Sequence, residues 1–540
     1  MSGGEAIVAA LAEHGVDTVF GLPGVQTYPI FDGLAKRAGA IRTIGARHEQ
    51  ATAYMAFGYA QATGRPGVYC VVPGPGVLNT LAALSTAWGC SLPVLCVTGQ
   101  TPRAFLEAKR GHLHEIPDQL GAAGRFCNYA SRIERAEDAP RIVAEAFRAM
   151  LSGRPGPALI EMCWDDLAKE GEAEPFALLP LAPPPAPDAG AIAEAARLAR
   201  AAKRPMIAVG TGARHAGPEV LALAEALGAP VVSHRGGRGI APSDHPLALS
   251  SYAARTLWEE TDLLIGIGSR LEMPYMRWSG MGTRIVEPEA PPHLIRIDID
   301  PDEMGRLVPH VGIVADAAAG AEALRAALEG HEPAGRERLQ QARARAAQAI
   351  AEVRPHVGHL EALRRALPRE GIFVDELTQA GYAAFFAWDV FAPRTYVTSG
   401  FQGNLGYGFM TALGVKAARP ELPVLSITGD GGFLYGASEM ATATREGLNV
   451  TVVLFDNGAY GNVKRDQMRL YEGRAFASDF DNPDFELLAR AYGWRYARAE
   501  GAEALEAAAR EGLAAEGPTL VHVPVRLEDE VSPWPLIIKG

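Results

Sequence analysis

Short apolar runs alternate with longer amphipathic stretches along most of the chain. The stretch Glu5 to His14 has helical periodicity and is followed by Thr18 to Phe20, Arg42 to Gly45, Gly67 to Val72, Val94 to Thr98 and Ala158 to Met162, each short enough to be a buried strand. A second series contains Met206 to Val209, Pro230 to Ser233, Leu263 to Ile267 and Leu294 to Ile299, and a third contains Gly371 to Val374, Val424 to Ile427, Val450 to Phe455 and Gly517 to Val525. Strands separated by helices imply parallel sheets covered on both faces. The pattern predicts an α/β protein of three doubly wound parallel-sheet domains, at 1–168, 191–330 and 356–540. A Pro-rich run, 169–190, reads as a semi-rigid linker, and an Arg- and Ala-rich stretch, 331–355, as a helical connector. The basic residues between Arg336 and Arg345 are expected on a solvated helix face.

Composition narrows the partners. A chain of 540 residues exceeds one core, and a net charge of −12 with no basic cluster argues against nucleic acid and membrane surfaces. No apolar stretch approaches the roughly 20 residues that span a bilayer. The N-terminus lacks the features of a signal peptide. Cys70, Cys90, Cys96, Cys127 and Cys163 show no metal or redox spacing and read as reduced core residues, so a cytoplasmic location is expected.

The densest chemical signal lies between Leu422 and Arg465. One apolar run ends in Gly429-Asp430-Gly431-Gly432 and the next in Asp456-Asn457-Gly458, with a helix expected between them. In a right-handed βαβ unit both strands end in the same crevice, which brings Asp430 and Asn457 side by side at the N-terminus of that helix. Either segment alone reads as an ordinary turn. Together they offer two oxygen ligands and close backbone approach, which suits Mg²⁺ carrying a diphosphate.

At these residues the chain resembles the thiamine diphosphate-dependent enzymes of the acetolactate synthase and benzoylformate decarboxylase type, whose motif is GDG, a spacer of this length, then Asn-Asn. Asp456 departs from the first Asn. The resemblance assigns the metal to Asp430, Asn457 and the Ala459 carbonyl, leaves Asp456 out of the ligand set, and names the three domains pyrimidine-binding, central and diphosphate-binding. In Ala46-Arg47-His48-Glu49-Gln50 a Glu in a helix's first turn is explained by the macrodipole alone. The following segment, from Ala53 to Trp88, resembles the family's pyrimidine-binding domain, where the Glu hydrogen-bonds N1′ of the aminopyrimidine. Glu49 is thereby expected to activate the cofactor from a dry pocket that raises its pKa.

The resemblance also implies a supporting turn at Gly74-Pro75-Gly76 with Asn79, diphosphate contacts from Thr378 and Gln379, a Gly403 carbonyl that accepts from the 4′-amino group, and an apolar wedge at Leu405. His114 replaces a substrate-facing Gln. Tyr28 and Gln100 are further candidates to line the site. Asp466 stands where acetolactate synthases place a Trp, so the resemblance does not extend to authentic acetolactate synthase. The segment Val531 to Pro535 reads either as a lid or as a packed anchor.

The implied activity is cleavage or formation of a C–C bond beside a carbonyl, by decarboxylation or carboligation of a 2-oxo acid. Hydrolysis or cleavage of a 1,2-diketone and a non-catalytic cofactor-binding role remain as alternatives. The family's central domain binds FAD in some members, ADP in others and nothing in the rest, and here it is expected to be empty. A homodimer or homotetramer is expected, each site lying between subunits.

Overall fold

In a computed structural model of the chain, which describes residues 1–172, 178–278, 291 and 293–538, three six-stranded, all-parallel sheets are flanked by helices. The first contains β1 (Thr18–Gly21), β2 (Arg42–Gly45), β3 (Gly67–Val71), β4 (Val94–Gln100), β5 (Tyr129–Ile133) and β6 (Ala158–Cys163), in the order β2-β1-β3-β4-β6-β5. The central sheet contains β7 (Pro205–Val209), β8 (Val231–Ser233), β9 (Ala248–Leu249), β10 (Leu263–Ile267), β11 (His293–Asp298) and β12 (Val311–Val314), ordered β12-β11-β10-β7-β8-β9. The third contains β13 (Ile372–Val374), β14 (Tyr396–Val397), β15 (Val424–Gly429), β16 (Thr451–Asp456), β17 (Arg495–Arg498) and β18 (Thr519–Pro524), ordered β14-β13-β15-β16-β18-β17. The first and third sheets thus share one topology, while the central order is that of a dinucleotide fold. Open parallel sheets bind ligands where the strand order reverses, between β1 and β3 and between β13 and β15. The candidate residues Gly74, Thr378, Gln379 and Gly429 follow these strands.

The apolar pattern leaves β5, β9, β12, β14 and β17 unread, and all five are edge strands. An edge strand is short or half-exposed, as in Tyr129–Ile133 and Arg495–Arg498, and so carries no continuous apolar run. The helix expected between Asp430 and Asn457 is also broken. Asp430–Phe433 forms a single turn, and the next α-helix runs from Met440 to Glu446. Gly431, Gly432 and Gly436 weaken helical continuity, so no long helix dipole is aimed at the crevice.

The first and third domains share one core through the helices Glu49–Thr63 and Tyr407–Ala418, both buried over most of their length. Two glycines set their close crossing. A Cβ on Gly58 would lie 2.2 Å from the Thr411 carbonyl oxygen, and one on Gly414 would lie 2.0 Å from that of Met55. Gly58→Val is therefore expected to destabilise the protein by about 1–3 kcal/mol or more, read as a lowered melting temperature. A control substitution at Gly447, which has open space around it, would separate this clash from helix propensity; because Gly447 has a φ of 63°, Asn is the suitable residue there.

The basic connector is not simply a solvated face. Arg338 is buried and donates to the Pro205 and Gly335 carbonyls, while Arg343 donates to those of His245, Pro246 and Ala248. These arginines staple the connector to the central domain. Residues 173–177 of the Pro-rich linker lie outside the described residues. All five cysteines are free, four of them buried. Among the described residues, no helix is long and apolar enough to cross a membrane.

Candidate active site

The first-domain half of the site is built on the turns after β1, β2 and β3 and on the loop that follows β4. Glu49 opens its helix behind the N-cap His48, is half-buried, and accepts a hydrogen bond from Asn79 Nδ2 at 3.1 Å. One chain therefore does not enclose Glu49 in a dry pocket. Gly74 (φ 60°) passes directly beneath His114, whose carbonyl oxygen would lie 2.4 Å from a Cβ there. The Gly74 N–H donates to Gln119 Oε1 at 2.7 Å, and Gln119 is fixed in turn by the buried Glu161. Gln100 does not line this surface. Its amide is spent on Glu161 and the Thr101 N–H inside the domain.

His114 has left-handed backbone (φ 66°), and its Nδ1 lies 2.9 Å from Gln26 Oε1. Gln26 is fully buried and its Nε2 donates to the Leu113 carbonyl, so Oε1 is the acceptor and His114 Nδ1 carries the proton. Nε2 remains as the free lone pair. Partial burial lowers the His114 pKa and the nearby Glu49 charge opposes that shift, which places the two groups on one electrostatic patch. Tyr28 is 58% exposed at the start of the helix Tyr28–Lys36, two residues from Gln26.

The third-domain half is a glycine-lined crevice. Asp430 is almost fully buried; its Oδ1 accepts from Gly431 N at 3.0 Å and its Oδ2 from Gly458 N and Asn482 Nδ2, both at 2.8 Å. Burial first, and the neighbouring Asp456 further down, raise its pKa to about 6. Asn457 hydrogen-bonds Glu530, while its Oδ1 is buried with no partner among the described residues. An orphaned buried carbonyl oxygen is costly unless something binds it, and beside a carboxylate a hard divalent cation fits. Around Ala459 an antiparallel bridge to Asp479 uses the Gly458 carbonyl and the Tyr460 N–H, leaving the Ala459 carbonyl outside it. These three oxygens are the donor set available to Mg²⁺.

Thr378 caps the helix Gln379–Ala387 by accepting from Gly381 N, and its methyl group would lie 3.2 Å from a Cβ on Gly429. Gln379 Nε2 donates to Asn462 Oδ1, leaving its buried Oε1 unpartnered. Gly403 is exposed with φ 61°, and the half-buried Leu405 lies against Gly432. Trp534 Nε1 also donates to Asn462 Oδ1, at 2.7 Å, with its ring 4.8 Å from that of Tyr382. The C-terminal segment is thus packed onto the crevice. Asp466 is half-exposed and pairs with Arg469.

Asp456 is hydrogen-bonded to Asp430 itself and shares the Asn482 and Gly458 donors with it. Its Oδ2 accepts from His522 Nε2 at 2.9 Å and its Oδ1 from Asn482 Nδ2 at 2.7 Å, while Tyr496 O–H donates to His522 Nδ1. Burial opposes its ionisation, but the bonds from His522, Asp430 and Asn482 hold its pKa below the usual range. Asn482 bridges the two carboxylates. Neither Asn482 nor His522 belongs to a recognisable local motif, and only the extra charge at Asp456 signals that a donor must exist elsewhere.

Matches to family models now add to this geometry. Residues 1–122 match the N-terminal TPP binding domain of thiamine pyrophosphate enzymes, residues 192–324 the central domain, and residues 378–523 the C-terminal TPP binding domain. The chain belongs to the thiamine pyrophosphate enzyme family. Within it, the chain is 34% identical to a protein of Pseudomonas aeruginosa named probable 2-ketoarginine decarboxylase, over 97% of this chain and 94% of that one. It is 32% identical to the acetolactate synthase isozyme 2 large subunit of Escherichia coli, over 100% and 98%, and 32% identical to a probable acetolactate synthase large subunit of Methanocaldococcus jannaschii, over 100% and 94%. It is a family enzyme of the acetolactate synthase and decarboxylase type, and the family's cofactor is thiamine diphosphate.

A separate cavity of about 360 Å³ lies where the central domain meets the other two. Arg214 and Arg270 line it, and each has a buried guanidinium nitrogen without a partner.

Proposed function

We propose that this chain is a thiamine diphosphate- and Mg²⁺-dependent decarboxylase of a 2-oxo acid, converting R–CO–COO⁻ and a proton into an aldehyde and CO₂. The observation that carries the reading is the unpartnered Asn457 Oδ1, buried beside Asp430 in a glycine-lined crevice. Asp430, Asn457 and the Ala459 carbonyl would hold the metal. Thr378, Gln379 and the Gly429, Gly431 and Gly432 backbone would receive the diphosphate, Leu405 would shape the cofactor, and the Gly403 carbonyl would accept from its amino group. When bound, the thiazolium supplies the electron sink for the carbanion left by CO₂. Glu49 holds a proton at its carboxyl oxygen for the aminopyrimidine, steadied by Asn79. His114, neutral near pH 7 with Nδ1 committed to Gln26, takes and returns a proton at Nε2.

Similarity to a protein named 2-ketoarginine decarboxylase favours loss of CO₂ followed by protonation. Similarity to acetolactate synthases favours a second reading, addition to an acceptor carbonyl. Exposed apolar side chains flank both halves of the site, with Tyr28, Leu78 and Leu113 on one and Tyr435, Val463 and Met468 on the other. This supports a homodimer or larger homo-oligomer in which the first-domain half of one copy faces the third-domain half of another.

The test is a screen of 2-oxo acids, cationic side chains included, and 1,2-diketones, with Mg²⁺ and thiamine diphosphate, following CO₂ and coupled products separately. CO₂ with a free aldehyde is expected. CO₂ with a coupled ketol would move the assignment to carboligation, and turnover of a diketone without CO₂ would sink both.

A further inference from the structure

The single turn at Gly429–Gly432 leads within a few residues to Glu439, a carboxylate with no exposed surface. Glu439 does not face its own domain's crevice. Its Oε1 accepts from Arg47 N and His48 N, both at 3.0 Å, and its Oε2 from Arg47 N at 3.1 Å and Thr442 Oγ1 at 2.6 Å. Arg47 and His48 form the turn that delivers the chain from β2 into the helix beginning at Glu49. The docking continues beside it, where Arg42 donates to the Glu446 carbonyl at 3.0 Å and pairs with its side chain. The segment following the GDGG turn therefore grips the backbone immediately before Glu49.

A buried carboxylate with no lysine or arginine paired to it among the described residues is costly, and burial raises the Glu439 pKa. Its compensation is two backbone N–H groups from this turn and the Thr442 hydroxyl from the helix that follows Glu439. A neutral amide would offer one oxygen for the same donors, so the two-oxygen fork fixes the turn more tightly than a simple interdomain staple requires.

We propose that Glu439 is a positioning residue for the activating carboxylate, holding Arg47 and His48 so that Glu49 meets the aminopyrimidine in register. This rests on the reading of Glu49 as activator. Because the proposed site pairs the Glu49 of one copy with the crevice of another, this contact would join the diphosphate turn of one site to the activator of the neighbouring site. Glu439 touches neither substrate nor cofactor.

Glu439→Gln tests this with readouts beyond turnover. In the cofactor-free protein, amide hydrogen exchange at Arg47 and His48 is expected to accelerate while the rest of the Glu49–Thr63 helix stays protected. In the loaded protein, exchange of the cofactor's C2 proton should slow by about 10- to 100-fold with thiamine diphosphate affinity unchanged. Thr442→Val, which removes the hydroxyl's bond to Glu439 and its longer contact with the Gly45 carbonyl but leaves the Arg47 and His48 N–H bonds to Glu439, should shift the same readouts in the same direction by less, and serves if the Gln variant does not fold. Unchanged C2 exchange, or exchange that slows only in proportion to lost cofactor binding, overturns the proposal. Glu49→Gln run alongside separates the two levels. If it leaves C2 exchange intact, the activator reading falls and this one with it; if it stops exchange while Glu439→Gln does not, only the role of Glu439 falls.

Discussion

Glu49→Gln is expected to bind thiamine diphosphate with somewhat reduced affinity and to lose turnover by about 10²- to 10⁴-fold, the usual worth of a positioned proton-transfer group. The substitution is close to isosteric, and Glu49 is half-buried at a helix start rather than in a core, so the fold should be intact. Its bond from Asn79 Nδ2 can be kept by the Gln carbonyl oxygen. What is lost is the ability to share a proton, because an amide neither ionises nor donates as a carboxylic acid does. Asn79→Ala should cost less, since it frees the carboxylate without removing it. The decisive measurement is C2 proton exchange beside steady-state turnover. A Gln variant that turns over normally would remove Glu49 from the mechanism.

How far the sequence could be read follows from how local each signal is. Asp430, Asn457 and their glycines sit at the ends of apolar strands, so their meeting in one crevice follows from right-handed βαβ topology alone. Glu49 and His114 were legible through family resemblance, and the structure places them on one surface with Asn79 and Gly74. The residues that support them were not. Gln26 fixes the His114 tautomer from 88 positions away, His522 hydrogen-bonds Asp456 from 66 positions away, and Glu439 reaches the Arg47 turn from 392 positions away. Such long-range pairs leave no periodicity or spacing to read. Two local expectations failed for local reasons. Glycines broke the helix after Asp430, and Gln100, at the end of a strand whose residues are all buried, turned to Glu161 instead of the site.

Asp430→Ala is expected to abolish Mg²⁺-dependent cofactor binding, weakening it by at least about 100-fold, because it removes the charged oxygen donor of the proposed ligand set. It also leaves the Asn482 amide and the Gly458 N–H, which now donate to both Asp430 and Asp456, with Asp456 alone, so a milder Asp430→Asn variant should be measured beside it. Asp456→Asn provides the contrast. Its oxygens are engaged by His522, Asn482 and Gly458, so that variant should change metal affinity far less, and equal losses at 430 and 456 would contradict the ligand assignment. Because burial holds the Asp430 pKa up at about 6 in the free protein, Mg²⁺ must displace a proton below that pH, and apparent affinity should fall as pH drops through 6. The same variants test where the site is assembled. If Glu49 of one copy serves the Asp430 crevice of another, mixing inactive Glu49→Gln and Asp430→Asn chains under exchange conditions rebuilds one intact site per mixed pair and restores roughly a quarter of the wild-type rate. A site contained in a single chain restores none.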